Sequence, residues 1–301
     1  MTATVPPKPA LAITAPGGRP RRTSRGIARR LWHNPSAVVT GVTLVLIIIV
    51  AVVSVWWTPR DPYQQDLFAI LAPPGTDGFI LGADQLGRDV LSRLMVGARV
   101  SLVATAQAVC IAAVIGIPLG FTAGLSGGVF DSIVMRVTDG LISFPGLLVA
   151  IGIIGVLGPG LTNAMIALGI IFSPRFIRLV RNVVRGISRE TYIEAARSMG
   201  ASNIRIALQH VLRNILSPIT VEVAVIAAHV MLAEASLSFL GLGVQPPEPS
   251  WGGMVRDGFQ FVSRSPTLGV FPGLMITITV LCFVVLGDAM RDAFGRQERK
   301  G

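Results

Sequence analysis

Lysine is almost missing from this 301-residue chain: it occurs only as Lys8 and Lys300, and the other 24 basic residues are arginines. A P-loop needs a lysine behind its glycines to reach the phosphates of a nucleotide. No conventional nucleotide-hydrolysing loop can be built between those two positions. Cysteine is nearly as scarce. Cys110 and Cys282 both fall inside apolar runs, which argues against a disulfide framework or a cysteine-rich metal centre and reads both as small buried hydrophobes. His33, His210 and His229 are scattered, with no HExxH pair, so no metal, no other cofactor and no catalytic residue is expected. Charge is short as well: 14% of residues are charged and 51% are hydrophobic, where a soluble domain carries about 25% charged residues. The net charge of +10 would suggest nucleic acid as partner in a soluble protein. Here the basic residues sit between apolar runs and gather on no face, so the expected surroundings are membrane lipid and not nucleic acid.

What the chain does have is long apolar runs. Ala37 to Trp57 is 21 residues long, and about 20 apolar residues cross the hydrocarbon core of a bilayer. Trp56 and Trp57 close it, where indoles favour the interface. Further spans are expected at about 101–125, 134–157, 161–177, 215–241 and 267–288, making six. Arg175 and Arg178, at the end of the fourth, would have to snorkel to the surface. Pro118, Pro145 and Pro174 should kink their helices. A secretory signal peptide is excluded, because the first apolar run starts too far in and no small-residue cleavage site follows it.

Residues 1–36 read as a basic tail ending in a short interfacial elbow. With that tail in the cytoplasm, the inside segments 1–36, 175–215 and 291–301 carry 7, 8 and 4 basic residues, and the outside segments 58–98 and 241–267 carry 3 and 2. That asymmetry orients the chain with both ends inside. In the extracytoplasmic segment 58–98 and just beyond it, residues 81–102 read as a turn followed by an amphipathic helix, with Asp89 and Arg93 as i,i+4 partners. Trp251, in the second outer loop, reads as an interface anchor. Asp139 with Arg136, and Asp288 with Arg291, read as structural pairs near the interface.

The segment YIEAARSMGASNIRIALQHVLRN (192–214) is too polar to span and lies on the cytoplasmic side. Tyr192 to Met199 can make two helical turns, Gly200 permits a sharp bend, and Asn203 to Leu212 can form a second short helix. A helix–glycine–helix projection of this kind suits either the docking of a partner protein or a plain connection between spans.

Glu194-Ala195-Ala196, three residues and then Gly200 resemble the EAA loop of binding-protein-dependent ABC permeases. LGADQLGRDVLSR (81–93), DGLISFPGLL (139–148), EASLSFLGLGVQPPEPSWGGM (234–254) and VVLGDAMRDAF (284–294) resemble the second, C-type permease of dipeptide, oligopeptide and nickel importers. Three positions depart from the family pattern: Arg213 stands where the loop usually has proline, Ala83 where the outer motif has threonine, and Gly295-Arg296 where Asp-Pro is common. The resemblance implies an all-α, type I ABC importer permease bundle in the bacterial cytoplasmic membrane, with a core over 99–290 and a coupling loop at 190–213. It implies that Glu194, Ala195, Ala196 and Gly200 couple the chain to an ATPase, and that the chain catalyses nothing itself. Its partners would be a second permease, two P-loop ATPase subunits and an extracytoplasmic substrate-binding protein. The implied cargo is a dipeptide or oligopeptide, with nickel or another small solute as the alternative. An ion-coupled secondary transporter would show more spans and inverted repeats with broken helices, and the sequence shows neither.

Polar residues inside the spans are candidates for lining a route, since charge at membrane depth is costly. Glu222 and His229 are seven residues apart and share a helical face. Glu234 lies about 140° round from His229 at 100° per residue and falls off that stripe. Either a translocation lining or internal polar contacts would account for the three. Gly116, Gly120 and Gly124 form a small-xxx-small series that favours close helix packing, against this chain or a partner.

Overall fold

A computed structural model describes residues 32, 34–76, 78–200, 202, 205 and 211–295. Most of the basic tail, most of the second short helix expected at 203–212, the side chain of Arg213 and the tail beyond Gly295 lie outside the described residues. The described residues are mainly helical: α1 Pro35–Val53, α2 Val90–Ser126, α3 Gly128–Ser143, α4 Gly146–Leu157, α5 Leu161–Ser188, α6 Thr191–Ser198, α7 Leu212–Phe239, α8 Trp251–Gln260 and α9 Thr267–Gly295. Among the described residues, β-structure is limited to two isolated bridges, Thr76 with Phe79 and Ala83 with Asp89. Five helices are long and apolar enough to cross a membrane, and the bent pair α3–α4 brings the number to six when it is counted as one span.

The expected span 134–157 is broken. Phe144 turns to an extended backbone, because the residue before a proline is pushed out of the helical region. Helices α3 and α4 meet there at 96°. Pro118 and Pro174, by contrast, lie inside continuous helices. The fourth span does not stop at 177 but runs on as α5 to Ser188. The amphipathic helix expected in 81–102 is not separate either. It is the first turns of α2, whose 37 residues reach about 55 Å.

Helices α2 and α5 make the most extensive packing in the bundle, and the glycine series explains why. A Cβ on Gly116 would lie 2.5 Å from Phe176 Cβ, one on Gly120 2.6 Å from the Ile177 carbonyl oxygen, and one on Gly124 2.7 Å from Val184 Cβ. The partner is therefore this chain's own α5. Lipid tails are as apolar as leucine, so close van der Waals contact along such a seam is what holds spans together. Ala104, Ala108 and Ala112 of α2 continue it into a core with Met165, Leu168, Phe176, Ile226 and Val230. Cys282 is buried, as expected of a small hydrophobe, whereas Cys110 is exposed on α2.

Outside the bundle, residues 58–89 fold onto the top of α2. Asp84 is the hub: its carboxylate takes Arg88 Nε at 2.7 Å and Arg93 Nε at 3.3 Å, and the Leu86 and Arg88 amides at 2.8 and 3.0 Å. Arg93 also donates to the Pro62 carbonyl at 3.1 Å. The expected Asp89–Arg93 pair is not made. Asp89 instead caps α2, accepting from the Ser92 amide at 2.8 Å, because a carboxylate at an N-cap meets unpaired N–H donors and the positive end of the helix. Trp251 is no interface anchor. It is completely buried, donating its indole N–H to the Leu94 carbonyl at 3.1 Å and tying α8 to α2. Asp139 pairs with Arg178 of α5 at 2.7 Å, not with Arg136, while the expected Asp288–Arg291 pair is present at 3.6 Å.

The hub makes a prediction. Asp84→Ala leaves Arg88 and Arg93 buried, their side chains 7% and 5% exposed, without the charge that balances them. Removing one partner of a buried pair costs about 3–5 kcal/mol. Limited proteolysis from the outer face should then cut within 58–89 at protease levels the native chain withstands. Equal resistance would show that the loop is held elsewhere.

Candidate functional site

On the cytoplasmic side the chain leaves α5, turns through Arg189 and Glu190, and enters α6. Ile193 is completely buried, packed among Val180, Val184, Val211 and Ile215 where α5 and α7 leave the bundle. One apolar residue thus seats α6 on the two spans it joins. Glu194 and Ala195 of the same helix are exposed and Ala196 is partly so. The helix ends at Ser198, and two residues on Gly200 has a φ of +83°, a left-handed conformation that residues with a Cβ avoid. A Cβ there would meet nothing within 4 Å, so the requirement for glycine is one of backbone conformation. These four coupling candidates therefore lie together on a short, seated, outward-facing element.

Just above it, the α5 extension is tied to α3. Asp131, with a side chain 7% exposed, takes both Arg181 and Arg185, the latter at 2.8 Å. Sequence reasoning missed this cluster. Its signal was present in the four-residue spacing of Arg181 and Arg185, which puts two cations on one helix face. Asp131 lies 50 residues from Arg181, where no local spacing rule reaches.

Of the three polar candidates in α7, Glu234 is buried and accepts from Ser238 Oγ at 2.8 Å. It sits inside the bundle, off the face of the other two. Glu222 is half-buried and His229 exposed, on one side of α7. Beside His229 the structure places Arg175 of α5, with 3.5 Å between a guanidinium nitrogen and Nδ1. Phe172 stands near both, 5.8 Å from the guanidinium carbon and 6.4 Å between ring centres to His229.

A cavity of about 180 Å³ opens between residues 85–93 and 244–257, with Arg88, Arg93, Glu248, Arg256 and Asp257 among its walls. Tyr63 lies beside Glu248. Burial and then that neighbouring carboxylate push its phenol above the ordinary tyrosine range. Among the described residues no three His, Cys, Asp or Glu side chains form a group able to hold a metal ion.

Residues 116–300 match the family of binding-protein-dependent transport system inner membrane components, and residues 24–74 match the N-terminal transmembrane domain of oligopeptide transport permease C. The di/tripeptide transport system permease protein DppC of Pseudomonas aeruginosa is 37% identical over 288 residues, covering 93% of this chain and 95% of that protein. The glutathione transport system permease protein GsiD of Escherichia coli is 41% identical over 265 residues, 88% of each. Among solved structures, an inward-facing form of the MetNI methionine ABC transporter matches with a TM-score of 0.54 at 20% identity, over 67% of this chain and 96% of that one. At that identity the likeness speaks for the fold.

Proposed function

The chain belongs to the family of binding-protein-dependent inner membrane transport components, and from that premise we propose that it is the C-type permease of a peptide importer. As a member of that family it is a multi-pass bacterial inner-membrane permease subunit of an ABC importer, working with ATPase and other subunits and performing no catalysis itself. The proposal adds the cargo, short peptides, and the assembly: a second permease beside this one, two P-loop ATPases below, and a substrate-binding protein outside. Similarity over nearly the whole chain to permeases named for di- and tripeptides and for glutathione supports the cargo.

The observation that carries the mechanism is the seating of α6. Ile193 is locked between α5 and α7 while Glu194, Ala195 and Gly200 face outward, so a push on α6 reaches two spans directly. In this reading the ATPase grips Glu194, Ala195 and Ala196. Closure of the ATPase pair then swings the permeases as rigid bodies, and Glu222 and His229 line the route that opens, while Glu234 braces the bundle. The core over 99–290 and the coupling loop over 190–213 keep the limits read from the sequence.

Affinity purification of the tagged chain in mild detergent should bring down a second permease and two P-loop ATPase subunits. The purified complex, supplied with its binding protein, should import dipeptides into vesicles at the expense of ATP. Purification of the chain alone, or transport unaffected by ATP, would sink the proposal. Orientation is checked separately with single cysteines in a Cys110→Ser, Cys282→Ser background. Cysteines at Asn34 and Ser202 should react with an impermeant thiol reagent only from the cytoplasmic side, and those at Thr76 and Ser263 only from outside. Reaction of the Ser202 position from outside would invert the topology and remove α6 from the ATPase side.

A further inference from the structure

We propose that Arg175, with His229 beside it, is an anion-recognition point at mid-membrane depth that holds the carboxylate of a passing cargo. Among the described residues no carboxylate lies within 4 Å of the Arg175 guanidinium, and the nearest acid on the neighbouring helix α3, Asp139, is taken by Arg178. His229 does not compensate the charge. Its Nδ1 lies 2.8 Å from the Val225 carbonyl, which can only accept, so the Nδ1 hydrogen is spent on that carbonyl and Nδ1 is not left to accept from Arg175. A guanidinium with no acceptor to balance it makes a site for an anion, and its planar fork matches a carboxylate.

Depth rules out simple snorkelling. Arg175 reaches back along α5 toward Phe172, as side chains in helices do, and α5 runs from outside to inside. The guanidinium therefore points away from the cytoplasm. Its neighbour His229 lies ten residues below the outer end of α7 at Phe239, about 15 Å down, half of a core of ~30 Å. An unpaired charge at that depth does not face lipid. Glu222, unpaired among the described residues and on the same side of α7, stands about 10 Å nearer the cytoplasm at 1.5 Å per residue. One face thus offers a cation and an anion spaced like the two ends of a short extended peptide, at roughly 3.3–3.6 Å per residue. That complement favours a zwitterionic cargo over a carboxylate of the partner permease. The inference rests on the peptide reading for the identity of the cargo, though not for the presence of an anion site.

The test has two arms, both in the assembled complex. In the first, His229→Cys is made in a complex otherwise free of reactive cysteines, and its reaction with anionic and cationic thiosulfonates of equal size is timed. A unit charge within ~10 Å at an effective dielectric of ~20 favours the anionic reagent and disfavours the cationic one by more than about tenfold each, so the anionic reagent should be faster by at least about a hundredfold, and Arg175→Gln should abolish the bias. In the second arm, uptake of dipeptides with a free C-terminus is compared with that of their amides, using pairs the binding protein holds equally well by titration. Wild type should favour the acid, and Arg175→Gln should lower the acid-to-amide ratio about tenfold, the scale of one charge-assisted hydrogen bond, with Arg175→Lys in between. Failure of the His229→Cys complex to react, an absent bias, or an unchanged ratio in Arg175→Gln would each overturn the inference. A clear bias in a complex that imports no peptide would leave the anion site standing and remove the peptide reading instead.

Discussion

Replacing Gly200 by valine is expected to cut uptake at least about tenfold while the chain still inserts and folds in the membrane. The residue has φ of +83°, and an L-residue forced into that region costs about 1–2 kcal/mol, more when it is β-branched. An added Cβ meets no described atom within 4 Å, so the cost lies in the backbone conformation. The valine's only remedy is to move the backbone, which redirects whatever follows α6. Asparagine tolerates the left-handed region, so Gly200→Asn should keep most of the uptake. Glu194→Lys tests the other half of the knob, because its carboxylate is exposed and makes no ion pair among the described residues. It should weaken pull-down of the ATPase subunits or leave hydrolysis running without uptake. Substrate-stimulated hydrolysis and vesicle uptake, measured together, separate these outcomes. If Gly200→Val and Glu194→Lys both behave as wild type, the segment is a passive connector and the coupling proposal fails.

The second large effect lies in the bundle. Gly120→Leu is expected to yield little folded protein. Its Cβ would lie 2.6 Å from the Ile177 carbonyl oxygen and 3.0 Å from Ile177 Cα, and backbone cannot step aside as a side-chain tip can. Overpacking of this kind costs about 1–3 kcal/mol and sometimes more, here at the most extensive seam in the molecule. Gly41→Leu on α1, where nothing lies within 4 Å of the added Cβ, is the matched control and should be tolerated. Yield and monodispersity on size exclusion in detergent report both. A Gly120→Leu chain as abundant and monodisperse as the Gly41→Leu chain would mean that α2 and α5 can separate freely.

The parts of this architecture that were legible in the sequence are those written in one-dimensional periods. Apolar run length located the spans, and the four-residue glycine spacing announced a seam, although not its partner. The EAA-to-glycine spacing announced a short helix followed by a bend, and Gly200 indeed stands at a positive φ just past α6. What could not be read were contacts set by distant segments. Asp139 and Asp89 each had a neighbour at helical spacing that proved wrong. One is drawn across to Arg178, 39 residues away, and the other to a helix cap. Trp251 looked like an interface residue because tryptophans in outer loops often are, and only the approach of α2 shows that its indole is enclosed. Arg175 looked like the end of a span until α5 continued past it, which turned a surface residue into one at membrane depth.

The hub around Asp84 bears on how the chain is made as well as on how it is held. Arg88 and Arg93 must be carried across the bilayer during synthesis, against the tendency of arginine-bearing loops to stay inside. Each elementary charge moved through the membrane potential involves about 2.3 kcal/mol per 100 mV. Asp84 and Asp89 travel with the two arginines in the same ten residues, so the stretch from Asp84 to Arg93 has no net formal charge and the potential does no net work on it. The same carboxylate that later locks the outer loop thus accompanies its arginines through the translocation step, and the loop arrives outside with its counter-charge already beside it.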